Sequence, residues 1–174
     1  MPKRIPWATL IAVSFAIGLA LNTGGRSSCA SDPGPRAAVE QYLRAMKEQR
    51  FADAYNVVTA KMTDGKPREE WAALQAKMFE LGGVKLGEID VRPALRAKGE
   101  DGGCAPEAKV PNVLRAFDAL NNQGSTEFET YTVVLEGKAW KVDSQETLFE
   151  EKDIRQYFPN DQIPAFKDTA PAGK

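Results

Sequence analysis

TYTVVLEGKAWKVD, residues 130–143, decides the fold. Tyr131, Val133 and Leu135 alternate with Thr130 and Thr132, and after Glu136-Gly137-Lys138 the alternation resumes with Trp140 and Val142 against Lys141 and Asp143. A period of two is the mark of a half-buried strand, and two such runs joined by a short glycine-containing break form a hairpin. Either plausible two-residue turn brings Trp140 and Val142 to the face of Tyr131, Val133 and Leu135. Thr130, Thr132, Lys141 and Asp143 then share the other face. One apolar and one polar face is the pattern of a sheet covered on one side.

Working upstream, Thr126–Leu135 extends the first of these strands, and NNQGS is the turn before it. Asn112–Asn121 reads as another strand, 99–111 (GEDGGCAPEAKVP) as a long loop, and Val84–Lys98 as a strand interrupted by Pro93. Before residue 83 the period changes to that of helices. Val39, Tyr42, Leu43 and Met46 mark the first, opened by Pro35; Phe51, Tyr55 and Val58 mark a short second. TDGK at 63–66 is a turn. Pro67 opens a third helix, with Glu69 and Glu70 in its positive first turn and Gly82-Gly83 as its stop. Trp71, Leu74, Met78 and Leu81 form its expected buried stripe. Helices followed by a meander of strands predict an α+β fold, with three N-terminal helices on one face of an antiparallel sheet. The tail carries one short helix near Ile154–Phe158, and its end is expected to be disordered.

The N-terminus has another character. Lys3 and Arg4 precede WATLIAVSFAIGLAL, 15 residues from Trp7 to Leu21 that are apolar apart from Thr9 and Ser14. This length suits a secretory signal better than a membrane-spanning anchor, which wants about 20 residues. Ser28-Cys29-Ala30 offers small residues for cleavage after Ala30. GRSSCA resembles a lipobox with Cys29 as its lipidated residue, but Arg26 stands where an aliphatic residue is expected. If Cys29 is kept unlipidated, a Cys29–Cys104 disulfide forms the third alternative, in an oxidising compartment. The expected divisions are 1–30 signal peptide or membrane anchor, 31–35 linker, 36–146 domain, and 147–174 C-terminal extension. The expected place is periplasmic or secreted, with membrane attachment if the segment is uncut or lipidated.

Of the 174 residues, 43% are hydrophobic and 27% charged, a globular balance. Residues 1–30 hold Lys3, Arg4, Arg26 and no acid, so the remainder has 20 basic and 24 acidic residues, a net charge of −4. A mildly acidic domain without basic clusters argues against a nucleic-acid partner. There is no histidine. This removes Ser-His-Asp and Cys-His catalysis and imidazole metal ligation, and two cysteines do not make a zinc site. No metal and no cofactor is expected, and acid–base chemistry would fall to Asp, Glu, Lys or Tyr.

AAVEQYLRAMKEQRFADAYNVV (37–58) resembles the opening of the nuclear-transport-factor-2-like, or cystatin-like, superfamily: a helix, a short polar break, then an aromatic and an Ala-Tyr pair. The third helix with Glu69, Glu70 and Trp71 fits this pattern. EGKAWKVDS (136–144) resembles the terminal hairpin of exported bacterial members of unknown function. The resemblance covers 36–146 and implies a cone, with a curved sheet wrapped around the helices and a pocket between them. The superfamily includes isomerases, dehydratases, ligand binders and assembly subunits, so the fold does not select a function.

Enzymatic members use a pocket aspartate, which directs attention to Asp118. It shares parity with Leu114, Ala116 and Leu120, and one turn register places it opposite Glu129 with Glu127 adjacent. Crowded carboxylates in a low-dielectric pocket raise one another's pKa. The opposite parity leaves Asp118 in water. Tyr42, Tyr55, Trp71, Tyr131 and Trp140 are candidates for lining a ligand pocket, and their spacing equally fits a packed core. The first reading is a non-enzymatic exported envelope protein whose domain binds a small ligand or a protein. The rivals are an isomerase- or hydrolase-like pocket enzyme using Asp118 with a tyrosine, and a membrane-anchored assembly subunit.

Overall fold

A computed structural model describes Cys29 and residues 32–164. The apolar leader, the cleavage site after Ala30, the first residue of the linker and the chain end lie outside the described residues. Among the described residues no helix is long and apolar enough to cross a membrane. Four helices and four strands follow in the order α1 (Gly34–Lys47), α2 (Phe51–Ala54), α3 (Arg68–Gly82), β1 (Lys85–Val91), β2 (Glu107–Phe117), β3 (Ser125–Glu136), β4 (Ala139–Leu148) and α4 (Glu151–Tyr157). The strands form one antiparallel sheet in the order β1-β2-β3-β4. This is the expected α+β arrangement of helices followed by a meander.

α1 starts where Pro35 fits the first turn and the Asp32 carboxylate accepts the Gly34 N–H at 2.9 Å. Its apolar positions recur at helical spacing, so Ala38, Val39, Tyr42, Leu43 and Met46 all enter the core. Arg44 and Lys47 sit in the last turn, where the helix dipole favours cations. A short 3₁₀ turn (Tyr55–Val57) continues α2, and the Thr59 N–H then donates to the Val142 carbonyl at 2.9 Å, tying the helical layer to β4.

The expected face of the last hairpin holds. Val133 and Val142 pair and are fully buried beneath α1, and Leu135 pairs with Trp140. A bulge between Thr132 and Val133 shifts the register, so Tyr131 pairs with Gln145. β2 begins earlier than expected: Glu107–Pro111, read as loop, pairs with β3 from Glu107↔Val134 onward. Pro111 lies just past the last rung of β1, Val91↔Asn112, where its carbonyl still accepts the Arg92 N–H at 2.9 Å and only the N–H it lacks is missing from the pairing.

Two expectations are corrected. α3 buries Trp71, but Leu74, Met78 and Leu81 are 41%, 53% and 74% exposed, so the stripe faces water. The sheet face opposite the helices is not left polar throughout. Phe128 and Leu148 are covered there by Ile154 and Phe158 of the α4 segment, forming a second small core with the Phe128 and Phe158 rings edge-on at 5.1 Å.

Of the alternatives at Cys29, the structure takes the disulfide, joining Cys29 to Cys104. A sulfur so bonded has no thiol left for a lipid, and cutting after Ala30 would sever residue 29 from the domain's backbone. The bridge belongs to a strap. Arg96 pairs with Asp32 at 2.8 Å, donates to the Ala105 carbonyl at 2.6 Å, and lies 4.6 Å above the Trp140 ring. Gly34 touches that ring so closely that a Cβ there would lie 2.3 Å from Trp140 Cδ1.

Candidate functional site

A cavity of about 310 Å³ opens between α1, α3 and the sheet. α1 contributes Tyr42, Leu43 and Met46 to its wall, and α3 contributes Gln75 and Phe79. Leu86, Leu114 and Ala116 from β1 and β2 form an apolar floor. β3 and β4 add Glu127, Glu129, Tyr131 and Gln145, while Val84, Phe117 and Asp118 stand at the end where β2 leaves the sheet. The walls follow from the strand period: Leu114 and Ala116 on β2, and Glu127, Glu129 and Tyr131 on β3, are alternate residues facing the helices.

Glu129 is the centre of the site. It is fully buried, and each of its oxygens is held by neutral donors. Asn112 Nδ2 and the Tyr131 hydroxyl donate to Oε2, both at 2.9 Å, and Gln145 Nε2 donates to Oε1 at 2.6 Å. Asn112 is present because the β2–β3 register places it directly across from Glu129. Burial raises the Glu129 carboxyl above the ordinary glutamate value, against the pull of its donors. Burial also pushes the Tyr42 and Tyr131 hydroxyls well above the ordinary tyrosine range, with the nearby Glu129 charge adding to it. Both are therefore neutral hydrogen-bonding groups. Their rings meet edge-on at 6.1 Å.

The five aromatic candidates divide. Tyr42 and Tyr131 line the cavity. Tyr55 and Trp71 pack edge-on against each other at 5.9 Å, away from the cavity, with the Tyr55 hydroxyl donating to the Lys66 carbonyl at 2.9 Å. Trp140 lies under Arg96 in the strap. Asp118 reaches the cavity mouth on the parity it shares with Leu114 and Ala116, but it is exposed and does not lie opposite Glu129. Its carboxylate accepts the backbone N–H groups of Leu120 and Asn121 at 2.7 and 2.8 Å, closing a turn. Sequence reasoning missed Glu129 as the centre, although it sits on the same alternation as Tyr131 and Val133, a charged residue on an otherwise inward face. Among the described residues no three His, Cys, Asp or Glu side chains converge as a metal site.

No family model and no curated protein matches the chain. Several solved structures do. A domain of unknown function with a cystatin-like fold from Nostoc punctiforme is 18% identical with a TM-score of 0.47, covering 71% of this chain and 80% of that one. Two of this protein's solved neighbours are described as having a cystatin-like fold. A ketosteroid isomerase-like protein from Erwinia carotovora atroseptica is 14% identical with a TM-score of 0.46, covering 67% of this chain and 95% of that one. A Bdellovibrio bacteriovorus protein is 12% identical with a TM-score of 0.44 over 63% of this chain, which spans 38% of its length. At these scores the likeness transfers no activity or ligand.

Proposed function

We propose that the protein is an exported, non-enzymatic binding domain, a cone whose cavity takes a small, largely apolar ligand. The cavity carries this reading. It is about 310 Å³, at the lower end of the size range of ligand pockets, with a wall divided about equally between apolar or aromatic groups and polar ones. Binding rather than catalysis is favoured by Asp118, whose carboxylate is occupied in its own turn. The apolar run Trp7–Leu21 and the Cys29–Cys104 bridge support export, because disulfides persist in oxidising compartments.

The fluorescent apolar probe N-phenylnaphthylamine tests the cavity. Saturable enhancement with the native protein, abolished by Ala116→Trp, is the expected result, since the indole would fill the floor between Leu114 and Phe117. No saturable binding, or binding untouched by Ala116→Trp, would refute the reading. Mass spectrometry of the mature chain tests export. The expected form retains Cys29 and contains no free thiol.

A further inference from the structure

A buried carboxylate ordinarily has a cationic partner, because an isolated charge in a low-dielectric interior costs several kcal/mol of desolvation. Glu129 has none: its contacts are an amide from Asn112, a phenol from Tyr131 and an amide from Gln145. The cavity wall beside it repeats this imbalance. Three carboxylates, Asp118, Glu127 and Glu129, line it, and among the described residues no lysine or arginine does. This contrasts with the rest of the surface, where Arg50, Lys61, Arg92 and Arg96 pair with acids. The rings of Tyr42, Phe79 and Tyr131 complete the wall together with Phe117, whose ring already carries the Arg115 guanidinium at 5.6 Å, and aromatic faces attract cations.

We infer that the cavity binds a small organic cation, an amine on an apolar body, whose ammonium group supplies the counter-charge that Glu129 lacks. The inference rests on the binding reading above and names its ligand class. Tyr131 and Asn112 fix the orientation of the fully buried Glu129 carboxylate, and the ammonium reaches its Oε1 by displacing the exposed Gln145 amide. Glu127, half-buried, and Asp118, exposed, stand nearer the mouth and attract the cation electrostatically as it enters. Leu43, Met46, Leu86 and Leu114 receive the apolar body.

Matched probes of one shape and different charge give the test, measured by calorimetry on the full mature protein: phenethylamine, phenylethanol and phenylacetate, then tryptamine, tryptophol and indoleacetate. The amine of each trio is expected to bind at least about tenfold more tightly than its alcohol, and the acid not at all. Glu129→Gln should remove that preference, so that the amine binds no more tightly than its alcohol. Should Glu129→Gln fail to fold, Glu127→Gln combined with Asp118→Asn is expected to weaken amine binding about threefold, an effect that shrinks with added salt. An alcohol or acid bound as tightly as the amine overturns the cation assignment. So does failure of every amine in a protein that still takes up N-phenylnaphthylamine; in both cases the cavity remains a binding site. Failure of all these probes, N-phenylnaphthylamine included, overturns both readings.

Discussion

Glu129 is a buried residue whose titration makes its own contribution to the pH response. Its carboxyl titrates above the ordinary 4.5, chiefly because it is buried. The native chain therefore holds this proton more tightly than the unfolded chain does. Stability from this group is complete below the unfolded value and is lost as pH rises through the folded one. Glu129→Gln removes the titration. In urea unfolding from about pH 4 to about pH 8, native stability should fall relative to that of the Gln variant as pH increases. Parallel curves would show that Glu129 is not shifted. The identity of this residue was partly legible: the alternation that put Tyr131 inside also puts Glu129 inside. Its neighbours were not legible, because the β2–β3 register depends on the turn after Phe117, where Asp118 closes a tight bend that strand periodicity does not signal.

Elements show where periodicity stops being informative. The stripe Trp71, Leu74, Met78, Leu81 identifies the apolar face of α3, but α2 and the 3₁₀ turn after it cover only its first turn, where Tyr55 meets Trp71, and the flank bearing Phe79, which packs edge-on against Phe51 at 4.9 Å. Spacing shows which residues share a face; packing decides whether that face is covered. The energetic consequence is measurable. Trp71→Ala should cost about 3–5 kcal/mol, as for other buried large side chains, whereas Leu81→Ala should change stability by no more than about 0.5 kcal/mol. Comparable losses in denaturant unfolding would mean that Leu81 is buried in solution. Pro111 made Glu107–Pro111 look like loop, because a proline inside a strand usually argues against one; the carbonyl of Pro111 still accepts the Arg92 N–H, so one missing donor does not break the pairing. The hairpin at Gly137 was legible in full, since its alternation and its turn agree.

For the whole molecule the disulfide is the largest single constraint on the unfolded chain. It closes a separation of 75 residues, worth about 4 kcal/mol in the chain-entropy treatment. Replacing both cysteines with serine should lower the stability of the domain by about that amount, with the cavity still able to bind probe. A double variant as stable as the native protein would show that the bridge does not form. The sequence left three fates open for Cys29 because a lone thiol near a leader looks the same in each; its partner Cys104 is distant in sequence and brought near only by the fold.

The strap also fixes which end of the domain is held. Cys104 lies just before β2, and Phe117, at the other end of that strand's 11 residues, stands at the cavity mouth. The two poles are thus separated by roughly 35 Å of strand. Tension applied at residue 29 would thus pass through the bridge into the start of β2, at the end of that strand farther from Phe117.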